Sequence, residues 1–444
     1  MTSRREFLAR NAKIGAGLLL ASEVGLAMAP PPAAKVRLGF IGVGSRGLNH
    51  LQNALSRNDV SVTAICDIDP ARITEALDMA AKAGYKKPPT YQQNEFSYLE
   101  MLKRDDLDGV IISTPWEWHV PMAVAGMKAG KYVGLEVPCA ITIAECWDLV
   151  NVSEATGMPC MILENVCYRR DVMAILNMVR QDVFGEIVHC QCGYQHDLRG
   201  IKFSPGAEFG GKGTGEARWR TQHSVMRNGD IYPTHGIGPI ANILNINRGN
   251  RFVSITSTAT KSRGLHEYAV TAGGKEHPNV KVRFKLGDVV TSVIKTANEE
   301  SIVVSHDTNL PRPYSLGFRV QGTKGIWMND GNTVYVEGKS PHDTWEPAGE
   351  YYKNHDHPLW KTHASKAEGQ GHGGMDFFVL HAFVESVKRK APTPLDVYDA
   401  ATWSAISQLS EDSIANGGAP QMFPDFTKGQ WMHRKPIFAL DGIY

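Results

Sequence analysis

Two groups of residues in this 444-residue chain are of types and spacings that could do chemistry. The first is Gly42-Val43-Gly44-Ser45-Arg46-Gly47, a G-x-G-x-x-G run followed, 20 residues after Gly47, by Asp67. Glycines so spaced allow a tight turn and a close backbone approach to a pyrophosphate, whose charge the free amides and dipole of a following helix favour. Asp67 has the place of the acid that binds an adenosine ribose 2′-hydroxyl and repels a 2′-phosphate. The pattern therefore predicts NAD over NADP, with Arg46 and Arg72 as the cations that would soften the choice. The second group is Arg218-Trp219-Arg220-Thr221-Gln222-His223 followed by Asp230-Ile231-Tyr232-Pro233-Thr234-His235. His235 near a helix start, three residues after Tyr232, offers an imidazole base and a phenol on one local surface. A buried His and Tyr satisfied by hydrogen bonds is the alternative these residues leave open. His342, His355, His357, His363 and His372 lack the H-x-x-x-H spacing of a metal site, so no metal is expected.

The elements that must position these groups follow from hydrophobic period. Apolar strands at 35–41, 60–66, 109–114 and 132–136 alternate with helical stretches at 48–56, 121–129 and 144–156. Repeating βα units of this kind predict a doubly wound parallel sheet, the Rossmann arrangement, in which ligands bind beyond the carboxyl ends of the strands. Thr114 to His119, Glu136-Val137-Pro138 and Glu164-Asn165 are then the cofactor-facing loops, with Trp116 and Trp118 placed either to stack or to cap the fold. From Val188 onward the period becomes two, with alternating segments at 189–198, 252–260, 280–286, 289–296, 302–306, 316–322 and 333–337. Asn329-Asp330-Gly331-Asn332 is a hairpin signal, and helices are expected at 375–390 and 400–416. The chain thus divides into a dinucleotide-binding domain (30–165) and an α+β domain with a large, mostly antiparallel open sheet (166–444), whose last helices could pack back on the first domain. An open sheet also offers a face for a homodimer.

Residues 1–29 read as an export signal. Ser3-Arg4-Arg5-Glu6-Phe7-Leu8 precedes a short apolar run and Ala27-Met28-Ala29, the form of a twin-arginine signal with a small-x-small cleavage site. A periplasmic or secreted protein, handled by the twin-arginine machinery, is the expectation. That route moves folded proteins, which suits a cofactor inserted before export. Removing 1–29 takes four of 47 basic and two of 46 acidic residues, leaving a formal charge of −1 and no field to gather nucleic acid or anionic lipid. No apolar run reaches the roughly 20 residues of a membrane span. The seven cysteines are odd in number and lack C-x-x-C spacing, which argues against a disulfide framework.

The Rossmann opening, Thr114-Pro115 with His119, Glu136-Val137-Pro138 and the antiparallel second half resemble the Gfo/Idh/MocA oxidoreductase family across essentially the whole mature chain. Typical dehydrogenases of that family carry Glu-Lys-Pro, where the lysine assists proton transfer from a substrate hydroxyl; here Val137 replaces it. Trp116-Glu117-Trp118-His119, Gly193-Tyr194-Gln195-His196, Trp219-Arg220-Thr221-Gln222-His223, Tyr232-Pro233-Thr234-His235 and Gly371-His372-Gly373-Gly374-Met375-Asp376 are similar to the set found in glycoside hydrolase family 109. The resemblance implies an exported, NAD-dependent α-N-acetylgalactosaminidase acting on a glycan. It implies NAD contacts from Gly42, Gly44, Ser45, Arg46, Gly47, Asp67, Trp116, Trp118, His119, Glu136, Val137 and Asn165, and sugar contacts from Tyr194, Arg220, Tyr232, His235 and Tyr314.

The chemistry that such a site would run is oxidation of the sugar's C3 hydroxyl, loss of the acidified C2 proton, elimination of the C1 aglycon, addition of water and re-reduction, with NAD regenerated each turn. Tyr194, Tyr232 and His235 are the candidates for the proton transfers. Two alternatives stay open: a periplasmic sugar oxidoreductase of the same fold, and a non-catalytic sugar- or nucleotide-binding protein.

Overall fold

A computed structural model describes residues 35–440, 442 and 444; the expected signal at 1–29 and the Pro30-Pro31-Pro32 tether lie outside the described residues. Six parallel strands form the first sheet, in the order Thr90–Tyr91, Val60–Cys66, Val36–Ile41, Gly109–Ile112, Tyr132–Leu135 and Cys160–Ile162. This is the 3-2-1-4-5-6 order of a dinucleotide fold, with the switch point between Val36–Ile41 and Gly109–Ile112. Both of these strands are apolar and almost wholly buried because helices cover both faces. The helices begin where local chemistry starts them. Asp69 accepts from the Ala71 amide ahead of Pro70, and Thr142 with Glu145 forms a reciprocal capping box for Ile143–Thr156.

Nine strands make the second sheet, running Glu346–Pro347, Thr333–Val336, Gly325–Met328, Arg319–Gly322, Ile187–Gln195, Ser301–Asp307, Val289–Thr296, Phe252–Ala259 and Gln421–Met422. Every pairing is antiparallel except that of Ile187–Gln195 with Ser301–Asp307, whose register sets Tyr194 beside His306. The expected hairpin is present, with Met328 opposite Thr333 across Asn329–Asn332. One expected strand is not: residues 280–286 follow a 3-10 turn at Pro278–Lys281 and pair with no strand. Their alternation is real, since Phe284 joins a small cluster with Phe203, Leu265 and Ala269, but the Lys285 and Leu286 amides both donate to the Ser224 carbonyl instead of to a ladder.

The helix Met375–Arg389 packs on Ser45–Leu55 and on the strand Val36–Ile41, and Val397–Ala415 packs on Ile143–Thr156 and on Phe252–Ala259. The last two long helices therefore join the two sheets around one continuous apolar core. All seven cysteines are free and buried in it. Among the described residues no helix is long and apolar enough to cross a membrane.

Candidate active site

At the carboxyl ends of the parallel strands lies a cleft of about 450 Å³. Gly42, with φ +82°, makes the turn into Ser45–Leu55, and a Cβ there would sit 2.8 Å from the Ser113 backbone. Gly47 lets the helix close on that turn; a Cβ would fall 2.0 Å from the Gly42 carbonyl oxygen. Gly44 differs, because a Cβ there would meet no atom within 4 Å. It faces the open cleft at the head of a helix that has no side-chain cap, which is the cradle a pyrophosphate needs. Asp67 holds the loop in place, accepting from the Val43 amide at 2.7 Å and the Asp69 amide at 2.8 Å. Ser113 Oγ and Thr114 Oγ1 are buried without a protein partner, so the residues present fit a polar dinucleotide.

Arg46 and Arg72, the cations placed to welcome a 2′-phosphate, are already engaged. Arg46 Nε donates to Glu136 Oε1 at 2.6 Å and Arg46 Nη1 lies 2.9 Å from Asp376 Oδ1, while Arg72 pairs with Glu75. Burial pushes the Glu136 carboxyl upward, yet the Arg46 charge and the His50 hydrogen bond at 2.6 Å outweigh it and hold Glu136 well below the carboxylate range. His119 is clamped between the Pro138 and Thr114 carbonyls, 2.8 and 2.9 Å away.

Gly42, Gly44, Ser45, Arg46, Asp67, Trp116, Trp118, His119, Glu136 and Val137 line the cleft. Gly47 and Asn165 do not. Asn165 sits on a 3-10 turn that points its amide away, donating to Asp376 Oδ1 at 2.8 Å. Asp376 is fully buried, and it also meets His372 Nδ1 at 2.7 Å, so the Gly371-to-Asp376 motif supports Arg46 from behind.

Arg220 and Tyr232 line the other end of the cleft. Tyr232 joins it to a cluster of rings: Trp116 stacks on Tyr232 at 5.5 Å, Tyr194 lies at 4.8 Å and His235 at 5.1 Å from it, and Tyr194 stands 5.3 Å from His235 and 6.3 Å from Tyr314. Close backbone packing permits this. A Cβ at Gly236 would be 2.6 Å from the Gly193 amide, so the helix Thr234–Ile243 seats directly on the strand that carries Tyr194. Two hydrogen bonds between Gln195 and Ser315 bring Tyr314 alongside. Arg220 lies over the faces of Tyr232 and Trp116 at 4.7 and 5.1 Å and is ion-paired to Glu216.

Three partners here were not legible as such in the sequence. Glu164, fully buried, accepts from His235 Nδ1 at 2.7 Å and caps the following turn through the Val166 amide at 3.1 Å. A carboxylate on Nδ1 leaves Nε2 as the free base nitrogen, the arrangement of a general-base dyad. The second is His196: Tyr194 donates its hydroxyl to His196 Nδ1 at 3.1 Å. Burial raises the Tyr194 phenol and lowers His196, so the phenol is a donor and the imidazole a neutral acceptor. The third is Glu216 on Arg220. Burial also lifts Tyr232 and Tyr314 well above the ordinary phenol range. His342, His355, His357, His363 and His372 stay apart from this cluster; His355 bonds Gln181 and His357 bonds the Ala439 carbonyl.

A parallel sheet with a glycine-turn cradle, joined to an open sheet that closes its mouth with phenols and an imidazole, defines an NAD-binding protein of the oxidoreductase fold. Solved structures agree on the fold: an NAD-binding oxidoreductase from Klebsiella pneumoniae superposes with a TM-score of 0.67 at 17% identity over 88% of this chain and 100% of that one. A levoglucosan dehydrogenase bound to NADH and L-sorbose does so with 0.64 at 20% identity over 88% and 99%. Residues 36–163 match the NAD-binding Rossmann fold of the Gfo/Idh/MocA oxidoreductase family, and residues 168–433 match the C-terminal domain of glycosyl hydrolase 109. An α-N-acetylgalactosaminidase of Tannerella forsythia is 54% identical over 99% of both chains, and a glycosyl hydrolase family 109 protein of Stenotrophomonas maltophilia is 55% identical over 99% of both. The chain belongs to glycoside hydrolase family 109, and is an enzyme of that family.

Proposed function

We propose that this enzyme, exported by its twin-arginine signal to the periplasm or beyond, releases terminal α-N-acetylgalactosamine from glycans with an NAD that stays bound and is recycled. One observation carries the chemical reading: His235, backed by the buried Glu164 at 2.7 Å, packs against Tyr194 and Tyr232 beside a cleft in which Val137 stands where a dehydrogenase lysine would. The relative from T. forsythia supports the substrate. Bound NAD supplies reversible two-electron oxidation at C3 of the sugar, which acidifies the proton at C2. His235 and Tyr194 share the proton transfers at C2, at the C3 hydroxyl and at the leaving oxygen. His235 Nε2 is free to take a proton, and Tyr194, kept protonated by burial and handing its hydrogen bond to His196, is set to give one. Arg220, Tyr232 and Tyr314 hold the ring and its acetamido group. Because elimination and water addition leave no net oxidation, the cofactor need not leave between turnovers.

The test is incubation of the purified mature enzyme, with no NAD added, with p-nitrophenyl α-N-acetylgalactosaminide in D₂O, followed by analysis of the released sugar. Aglycon release with deuterium at C2 is the expected result. Release without deuterium there overturns the elimination route, and no release from an NAD-loaded enzyme overturns the substrate.

A further inference from the structure

We propose that residues 199–226 form a strap that retains the dinucleotide, with Arg218 and Trp219 as its closing residues; this rests on the reading of the cleft as the seat of a resident NAD. The segment leaves the end of the strand Ile187–Gln195 and contains Gly206, Gly210, Gly211, Gly213 and Gly215, none of which the glycosidase chemistry uses. It folds on its own small apolar cluster of Phe203, Ala207, Leu265, Ala269 and Phe284, separate from the main core. The Ser204 and Thr214 hydroxyls, 2.8 Å apart, and a Thr214 amide bond to the Ser204 carbonyl pin its base.

From that base the strap reaches over the nucleotide cleft. Gly215, Glu216, Arg218 and Trp219 line the same cavity as Gly44, Asp67 and Trp118. A Cβ at Gly215 would meet no atom within 4 Å, as at Gly44, so glycines from both domains face the open space. Besides Arg220 over Trp116 and the His223 ring 4.8 Å from the same indole, three contacts hold the strap down. Arg218 Nη1 lies 3.8 Å from Asp69 Oδ2, Trp219 packs edge-on against Trp116 at 5.2 Å, and His223 Nε2 lies 3.7 Å from Glu117 Oε2. Asp69, Trp116 and Glu117 all belong to the first domain, so the cleft has walls from both, and releasing its occupant requires these contacts to part.

The test is exchange of the co-purified nucleotide for radiolabelled NAD, followed by filter retention, in wild type, Arg218→Ala, Trp219→Ala and the double variant. Arg218 and Asp69 are exposed enough that their pairing is worth about two- to fivefold in exchange rate. The aromatic contact is worth roughly two- to tenfold, and the double variant is expected to exchange roughly four- to fiftyfold faster than wild type. About 1 M salt, which cuts the screening length to roughly 3 Å, should speed wild type more than Arg218→Ala, which retains only the His223–Glu117 pair for salt to screen. Slow wild-type exchange with a double variant within twofold of it, at an unaltered melting midpoint, overturns the strap alone. Fast exchange by wild type overturns the resident cofactor and the strap together. Should the double variant melt early, Glu117→Gln, at a side chain 48% exposed, replaces it; an unchanged exchange rate there and in Arg218→Ala overturns the strap.

Discussion

Replacing Glu164 with Gln isolates the function of a carboxylate that touches His235 without lining the cleft. The Glu164 side chain is 0% exposed and receives two hydrogen bonds, from His235 Nδ1 at 2.7 Å and from the Val166 amide at 3.1 Å. Gln keeps the volume, and because both donors meet the same oxygen, Oε1, its carbonyl can still accept from both. What Gln lacks is the negative charge that stabilises the imidazolium formed when Nε2 takes a proton. A hydrogen bond to a charged partner contributes about 1.5–3 kcal/mol, or roughly ten- to 150-fold, and loss of one positioned base costs roughly 10²- to 10⁴-fold. Glu164→Gln should therefore lower kcat for aglycon release roughly ten- to 150-fold while leaving the bound NAD content unchanged. His235→Ala, which removes the base itself, should fall roughly 10²- to 10⁴-fold, and the double variant should be no slower than His235→Ala, because the carboxylate acts only through the imidazole. A Glu164→Gln enzyme that keeps half its rate, or a double variant in which the two losses multiply, would refute the dyad.

Tyr194→Phe removes the hydroxyl that donates to His196 at 3.1 Å and should lower kcat roughly 10²- to 10⁴-fold, with folding unchanged by circular dichroism. Asp376→Asn leaves the part-buried Arg46 with Glu136 as its one remaining carboxylate, and should cost about 1.5–3 kcal/mol in denaturant titration and reduce the NAD that co-purifies. Stability should fall in acid. Burial lowers His381 to about 3, so the unfolded chain takes up this proton first; stability is intact above the free value of about 6.5 and is lost as the pH falls toward the folded one. At pH 5 this histidine alone removes about 2 kcal/mol, and His381→Gln should flatten that part of the pH profile by the same amount.

The doubly wound parallel sheet, the turn at Gly42 and the gathering of Tyr232 with Arg220 were legible because each depends on residues close in sequence or on strand period. Thr333–Val336 could be drawn from the Asn329–Asn332 turn alone. The segment at 280–286 could not be read correctly, since alternation reports which side chains are buried and says nothing about whether a partner strand exists. The same limit hid the partners in the site. Glu164 and His235 are 71 residues apart and Arg46 and Asp376 are 330 apart, so no local pattern pairs them. Asn165 follows an acid at the end of a parallel strand and so reads as cofactor-facing; the 3-10 turn that rotates its amide toward Asp376 is set by tertiary packing.

The burial of all seven thiols has a consequence for the proposed export, which would carry the protein from one redox environment to another. Burial drives Cys66 up to about 12 and the other six in the same direction, so none is a thiolate near neutrality and none is reachable by an oxidant. The folded enzyme is therefore indifferent to whether its surroundings are reducing or oxidising, and it needs no disulfide isomerase on either side of a membrane. Those same thiols become a built-in clock: the rate at which a maleimide labels them counts the openings of the core.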